Sequence, residues 1–279
     1  MVLPDPAGKA LRPESELTPG FEFTPWRLSV SAETQAQKLR CCGIDPAIWG
    51  DIVDPGIFAT LTIKIVNREG FSINGSVHMT QSYKVHSQVR LGEEVEMRGR
   101  ITGIEPAPRG SLFMAQYELL KSDGSVAMEL GRASVRTDPS AERTGPASGG
   151  NGARENPDAP FLGLPVVGEK QMTPDGVANF SDENINRIHD DPEIARQFGY
   201  RAPIAAGIMG SHIMMEPLVR EGGGPPKQME MEVRFRRPMF WDELLAIHGQ
   251  HTGDHLSRIA LIKPEGKVAC WGAVQSVSY

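Results

Sequence analysis

An internal repeat restricts the fold of this chain more than any other feature, because two similar halves imply two similar folding units. Residues 123–135 match residues 265–277 near the end of each half. Two further pairs of segments, 80–97 with 232–247 and 54–61 with 205–214, follow in the same order in both halves. Each match is short, but their common order favours a duplication.

A polar segment separates the two halves. Residues 137–160 are rich in Pro, Gly, Ser, Asn and charged residues and carry almost no apolar side chains, so this segment cannot form a core. We therefore predict one domain over residues 1–136, a flexible linker over 137–160 and a second domain over 161–279. The total of 279 residues fits two domains of ordinary size.

Both halves show the same order of predicted elements. Each has a helical region (31–40 and 192–198), an apolar central helix (56–65 and 207–219) and about four strands. The strands are predicted at 77–85, 94–104, 112–120 and 125–137, and at 228–235, 243–251, 256–262 and 267–278. A long apolar helix beside an antiparallel meander predicts an α+β fold in which the sheet wraps around the helix.

Composition narrows the function. The net charge of −6 does not favour a nucleic-acid-binding surface. Three cysteines, two of them adjacent, do not suggest a disulfide framework, and a reducing cytoplasm is the simplest location. There is no cysteine and histidine spacing typical of zinc, so we expect no metal. We also expect no signal peptide and no membrane span, because no long apolar run occurs.

The segment 180–210 carries the chemical information. It resembles the hydratase signature of the MaoC-like family, the (R)-specific enoyl-CoA hydratases or 3-hydroxyacyl dehydratases. In that family the pattern Asp-x-Asn-Pro-x-His-x-Asp precedes a Gly-Phe turn and Ile-Ala-His-Gly. The positions that match are Asn186, His189, Asp191, Ala195, Gly199, Tyr200, Pro203, Ile204, Ala205 and Gly207.

The resemblance extends to a strand motif, Arg-Phe-x-x-Pro, at residues 234–238, and in all it covers about fifty residues of the second half. It implies a double hot-dog fold, two tandem hot-dog domains with an antiparallel sheet around a central helix in each. The first half resembles the noncatalytic half of double-hot-dog hydratases. There it would shape a tunnel for the acyl chain.

The sequence departs from the family pattern at important positions. Asn184 stands where the family has its catalytic Asp, and an amide cannot accept a proton at neutral pH. Ala206 replaces the His before the helix glycine, and Arg187 replaces the usual Pro. Compared with the family pattern, the chain is also one residue shorter just after the Arg-Phe-x-x-Pro motif. Asp182 or Glu183, on the same loop as Asn184, could supply the missing acid.

The resemblance assigns roles to the residues that remain. His189 would be the acid–base group, Asn184 would orient the water or the substrate, and the Gly207 N–H would stabilise the thioester oxyanion. No cofactor is implied, since CoA is part of the acyl-CoA thioester substrate. The residues expected to bind the substrate are Asn186, Ala206, Ser211, Arg234 and Arg236.

Several of these residues have a second interpretation. Strand alternation predicts that Arg234 and Arg236 share a face, where they could bind CoA phosphates or pair with Glu230 and Glu232. Asp191 fits an N-cap before Pro192 better than a catalytic role. His212, like Ser211, could line the acyl pocket or be a polar group in the core. His78 and His86 are predicted to pack or to face solvent.

Three functions are consistent with this pattern. The first is a hydratase or dehydratase acting at the 2,3 position of an acyl thioester. The second is a thioesterase or lyase on the same scaffold, which Asn184 and Ala206 favour. The third is a noncatalytic acyl-CoA-binding subunit. In all three, pairing of the two halves into one continuous sheet would cover exposed sheet edges, and a homodimer of such chains is compatible with that arrangement.

Overall fold

The computed structural model describes residues 11–73, 76–108, 110–137, 156–181 and 186–279. Most of the predicted linker, 138–155, lies outside the described residues, so the division into domains stays a prediction. Asp182, Glu183 and Asn184 also lie outside them.

The described residues form one antiparallel sheet of ten strands, ordered β1-β3-β4-β5-β2-β7-β10-β9-β8-β6. The first half contributes β1 Glu22–Leu28, β2 Ser76–Val85, β3 Val95–Ala107, β4 Gly110–Leu120 and β5 Val126–Thr137. The second half contributes β6 Val166–Gln171, β7 Gln228–Phe235, β8 Leu244–Thr252, β9 His255–Ile262 and β10 Val268–Ser278.

The two halves join in the middle of this sheet. Strands β2 and β7 pair antiparallel, in a register that runs from Thr80 opposite Arg234 to Val85 opposite Met229. The remaining strand pairs each lie within one half. The prediction that the halves share one continuous sheet is therefore confirmed.

The helices are α1 Ala32–Cys41, α2 Pro55–Arg68, α3 Ala159–Leu162, α4 Pro174–Phe180, α5 Pro192–Gln197 and α6 Gly207–Glu221. Short 3-10 helices lie at Glu14–Glu16, Pro46–Trp49 and Arg187–His189. Side chains cap several of these starts. Asp54 accepts from the Gly56 N–H ahead of α2, and Asp191 accepts from the N–H groups of Glu193 and Ile194 ahead of α5.

Helices α2 and α6 form the centre of the molecule. They contact each other, and each also contacts strands of its own half. Phe58 and Ile65 on α2, with Met209 and Met214 on α6, are fully buried in one core that both halves share. Burial of this much apolar surface is the main force that holds the sheet against the helices. The predicted α+β class, a sheet wrapped around two central helices, is confirmed.

The strands that the pattern predicted agree with the structure to within a few residues, and both central helices are present. Two strands were missed, β1 and β6, which are the two edges of the sheet. Strand β1 contains Pro25 and a register shift between Phe23 and Trp26, and β6 is short with Val166 exposed. Neither strand shows the alternation that identifies a half-buried strand. No helix among the described residues is long and apolar enough to cross a membrane.

Candidate active site

The loop that carries His189 is held by ion pairs and by a helix cap. His189 ends the 3-10 helix that begins at Arg187. The Arg187 guanidinium lies 2.8 Å from the carboxylate of Asp190 and 3.2 Å from that of Asp191. Asp191 in turn caps helix α5, which confirms the predicted N-cap. Adjacent acidic residues thus fix the turn in which the imidazole lies.

The imidazole itself is buried and bonded to the backbone. Nδ1 of His189 lies 2.6 Å from the carbonyl oxygen of Ile204, and the Ile204 N–H donates to the carbonyl of Ile188 at 3.2 Å. Because a carbonyl only accepts, Nδ1 carries the proton and the neutral ring has its lone pair on Nε2. Burial lowers the pKa of His189 below its usual value. The neutral ring can therefore accept a proton at Nε2.

The chain that leads into helix α6 is fixed on its other side as well. The Ala205 N–H donates to the carbonyl of Met239 at 2.8 Å, and the Trp241 N–H donates to the carbonyl of Pro203 at 3.1 Å. This segment therefore lies between the His189 loop and the chain after β7. The position of the imidazole relative to the start of α6 is set by backbone hydrogen bonds.

Helix α6 begins at Gly207 without a side-chain cap. Ala206 is its N-cap residue and has no side chain that can accept from the first N–H groups. The Met209 N–H donates to the Ala206 carbonyl at 2.9 Å, whereas no side chain caps the Gly207 N–H, and the helix dipole favours negative charge there. A Cβ atom on Gly207 would lie 3.4 Å from the ring of Phe235. Glycine at this position leaves the space beside that ring unfilled.

A cavity of about 220 Å³ brings most of the predicted site residues together. His189, Asn186, Ala206, Gly207 and Arg236 all line it. Side chains of the first half complete the wall, namely Thr60, Ile63, Ile73, Ser76, Val77, His78, Met79 and Arg132. The two halves therefore both contribute residues to one cavity, and the role of the first half in holding an acyl chain stays a prediction.

Two predicted substrate-binding residues lie elsewhere. Ser211 does not line the cavity and is fully buried. Arg234 is exposed, and its guanidinium lies 2.8 Å from the carboxylate of Glu232, the ion pair that was the alternative to phosphate binding. Arg234 and Arg236 were predicted to share a face, but β7 ends at Phe235, so its alternation does not extend to Arg236.

Arg236 remains at the cavity but is partly neutralised. Its guanidinium lies 3.6 Å from the carboxylate of Asp158, and Arg237 lies 2.8 Å from the same carboxylate. Asn184, the third predicted catalytic residue, lies outside the described residues, as do Asp182 and Glu183. Its role stays a prediction.

His212 lies in the core rather than at the cavity. Its Nδ1 is 2.7 Å from the Asp54 carboxylate, and both side chains are fully buried between α6 and α2. A Cβ atom on Gly56 would lie 2.5 Å from the His212 ring, so that glycine is required for the close packing. Of the two interpretations of His212, the buried polar group is the one observed.

Sequence reasoning missed several polar residues of the cavity wall, among them His78 and Arg132. His78 packs against the ring of Phe235, with ring centroids 4.6 Å apart, whereas His86 is half-buried and bonded to Glu129. A motif search of the second half could not find residues from the first. Within the part of the chain that the structure describes, no group of His, Cys, Asp and Glu residues could hold a metal ion.

Residues 163–269 match the family model described as MaoC like domain. A search of curated protein sequences found no match. HtdX from Mycobacterium tuberculosis is similar in structure, with a TM-score of 0.73 and 17% identity over 90% of this chain and 98% of that one.

Two further solved structures show the same architecture. A MaoC-like dehydratase from Phytophthora capsici has a TM-score of 0.68 and 15% identity, over 96% of this chain and 100% of that one. A conserved Mycobacterium tuberculosis protein described as having a double hotdog fold has a TM-score of 0.61 and 13% identity, over 95% of this chain and 98% of that one. The fold of this chain is therefore a double hot-dog, as predicted.

Proposed function

Because residues 163–269 form a MaoC-like domain, we propose that this protein adds water to, or removes it from, the 2,3 position of an acyl-CoA thioester. The family supports a hydratase or dehydratase function in the broad sense. One observation carries the finer proposal: the buried His189 ring, protonated on Nδ1, lines the same cavity as the uncapped start of α6.

His189 serves as base and then as acid in this proposal. In hydration, Nε2 takes a proton from water while the water oxygen bonds to C3 of the enoyl group. The electrons of the C2–C3 double bond move towards the thioester carbonyl, which becomes an enolate. The imidazolium then returns the proton to C2, so that water has been added and the ring is neutral again. Dehydration is the reverse.

The start of α6 stabilises the enolate oxygen. Negative charge develops on that oxygen as water adds, and in this proposal the Gly207 N–H, at the positive end of the helix dipole, binds it. The absence of a side chain at Gly207 lets the thioester come close to the backbone. A donor of this type typically contributes about 10²–10³ in rate.

Asn184 orients the attacking water through its amide. It cannot take a proton, so we expect slower turnover than an Asp–His pair would give, by a factor of roughly 10²–10⁴. Asn186, Ala206 and Arg236 line the cavity. In this proposal they contact the acyl thioester, and Arg236 binds a CoA phosphate.

Two signals recorded on the same sample test this proposal. The purified chain is mixed with crotonyl-CoA, with 3-hydroxybutyryl-CoA and with longer homologues, and loss of enoyl absorbance is followed beside release of free thiol. Change in enoyl absorbance without thiol release supports the proposal. Thiol release without hydration would instead favour a thioesterase. Neither signal across all chain lengths, with thermal stabilisation by CoA, would favour a noncatalytic acyl-CoA-binding subunit.

A further inference from the structure

Arg132 occupies an unusual place in strand β5. The strand faces the core with alternate residues, and Met128, Leu130 and Ser134 on that face are buried. Arg132 falls in the same row. At the matching position of the second half, 142 residues later, the chain has Val274, which is buried. The fold therefore accepts an apolar residue at this position and does not itself require an arginine.

The Arg132 guanidinium is held without a counter-charge. Its Nε donates to the Ser134 hydroxyl at 3.0 Å, and Nη1 donates to the Thr62 hydroxyl at 3.2 Å. Within the described ranges, no carboxylate forms an ion pair with it. Burial lowers the pKa of Arg132 to about 10, so the group is still cationic at neutral pH. Arg132 is half-buried, and a charge withdrawn from water that only neutral groups contact is costly to the fold.

Arg132 lines the cavity that His189 and Gly207 also line. Most of the wall contributed by the first half around it is apolar or neutral, including Ile63, Ile73 and His78. Burial, and then the charge of Arg132, keep the pKa of His78 well below its usual value, so His78 is not a second cation at neutral pH. Arg236 and Arg237 lie in the wall that the second half contributes, and Arg132 is the cation among the described residues of the first-half wall. A fixed positive charge among largely apolar side chains orients a ligand with one anionic group.

We propose that Arg132 binds a carboxylate at the far end of the acyl chain, so that the preferred substrate is a thioester of a dicarboxylic acid. This inference rests on the proposed function and specifies its substrate class. A guanidinium matches a carboxylate in geometry and charge, and the two hydroxyls leave some of its five N–H donors for a ligand. Arg132 lies on the core-facing side of the sheet beside α2, whereas the solvated phosphates of CoA belong at a cavity mouth.

The test compares substrates that differ only at the chain end. Trans-2-enoyl-CoA thioesters with a terminal carboxylate are paired with methyl-terminated ones of the same length, over a series of lengths. For the best length, kcat/KM is expected to be roughly 10- to 100-fold higher with the carboxylate, the range for a charged hydrogen bond. Arg132→Gln should remove this preference by slowing only the carboxylate substrate, and Arg132→Lys should retain part of it.

Arg136 on the same strand supplies the matched control. It pairs with Glu14 at 3.1 Å and does not line the cavity with His189, so Arg136→Gln should leave the preference unchanged. Equal kcat/KM for both chain ends at every length, or a preference that survives Arg132→Gln, would overturn the inference.

Calorimetry separates this inference from the proposed function, since it needs no turnover. Saturated acyl-CoA thioesters with and without the terminal carboxylate are titrated into the wild type and into Arg132→Gln. Tighter, Arg132-dependent binding of the carboxylate ligand without any hydration would keep the Arg132 site and overturn the hydratase. Hydration of both substrates, with equal binding of both ligands, would keep the hydratase and overturn the Arg132 site.

Discussion

Nδ1 of His189 lies 2.6 Å from the carbonyl oxygen of Ile204, three residues before helix α6 begins at Gly207. One hydrogen bond therefore fixes the tautomer of the ring and ties the His189 loop to the helix start that, in the proposal, binds the oxyanion. The backbone bond between Ile204 and Ile188 strengthens the same link. The proposed acid–base group and the proposed oxyanion donor are thus positioned by a shared piece of backbone.

The pH dependence of activity should report His189. Burial lowers its pKa below the usual value of about 6.5, so the neutral, basic ring persists to lower pH than a free histidine would. We expect kcat/KM for hydration to be flat between about pH 7 and 8 and to fall only below about 6.5. The profile is measured with crotonyl-CoA or its best homologue, and His189→Gln is the control that should lose the acid limb. A decline that starts above pH 7 would contradict this assignment.

Gly207→Ala should separate stability from activity. Gly207 lies in a helix with φ below zero, so alanine is tolerated there and raises the free energy of unfolding by up to about 1 kcal/mol. The added methyl group meets the Phe235 ring at 3.4 Å and crowds the approach to the N–H, so kcat/KM should fall by roughly 10-fold or more. Urea unfolding and steady-state kinetics give the two values. Unchanged kcat/KM would contradict a role for the Gly207 N–H in binding the oxyanion.

Asn184→Asp tests the departure from the family pattern. An aspartate can share proton transfer with His189, and a second acid–base group is worth roughly 10²–10⁴ in rate. We expect kcat for hydration to rise, with the matched variant Asn184→Ala giving a decrease because it loses the water contact. If Asn184→Asp is slower than the wild type, Asn184 has another role, such as a direct contact to the substrate.

The buried pair of Asp54 and His212 should matter for stability. Asp54 bonds both the His212 ring and the Gly56 N–H at 2.7 Å, so it joins α6 to the start of α2. Asp54→Ala should lower the free energy of unfolding by roughly 3 kcal/mol, the scale for breaking a buried charged contact. Asp45→Ala is the control, since Asp45 is an exposed cap whose loss costs about 1 kcal/mol. Equal effects of the two variants in urea would contradict the importance of the pair.

Local sequence patterns predicted the parts of the fold that local physics decides. Alternation located the eight inner strands, and Asp191 before Pro192 identified a helix cap. Contacts between distant segments were not predictable in this way. Ser211 and His212 follow Gly207 on one helix, but the packing of α6 on α2 turns both into the core. Arg132 reaches the cavity only because the first half folds against the second.

The most direct test of the account is replacement of the imidazole of His189. His189→Gln retains a polar group that can still bond the Ile204 carbonyl, so the loop should keep its structure while the base is lost. We predict that thermal stability changes little and that hydration of the best enoyl-CoA falls by roughly 10²–10⁴. A stable His189→Gln variant that hydrates as fast as the wild type would contradict the central claim.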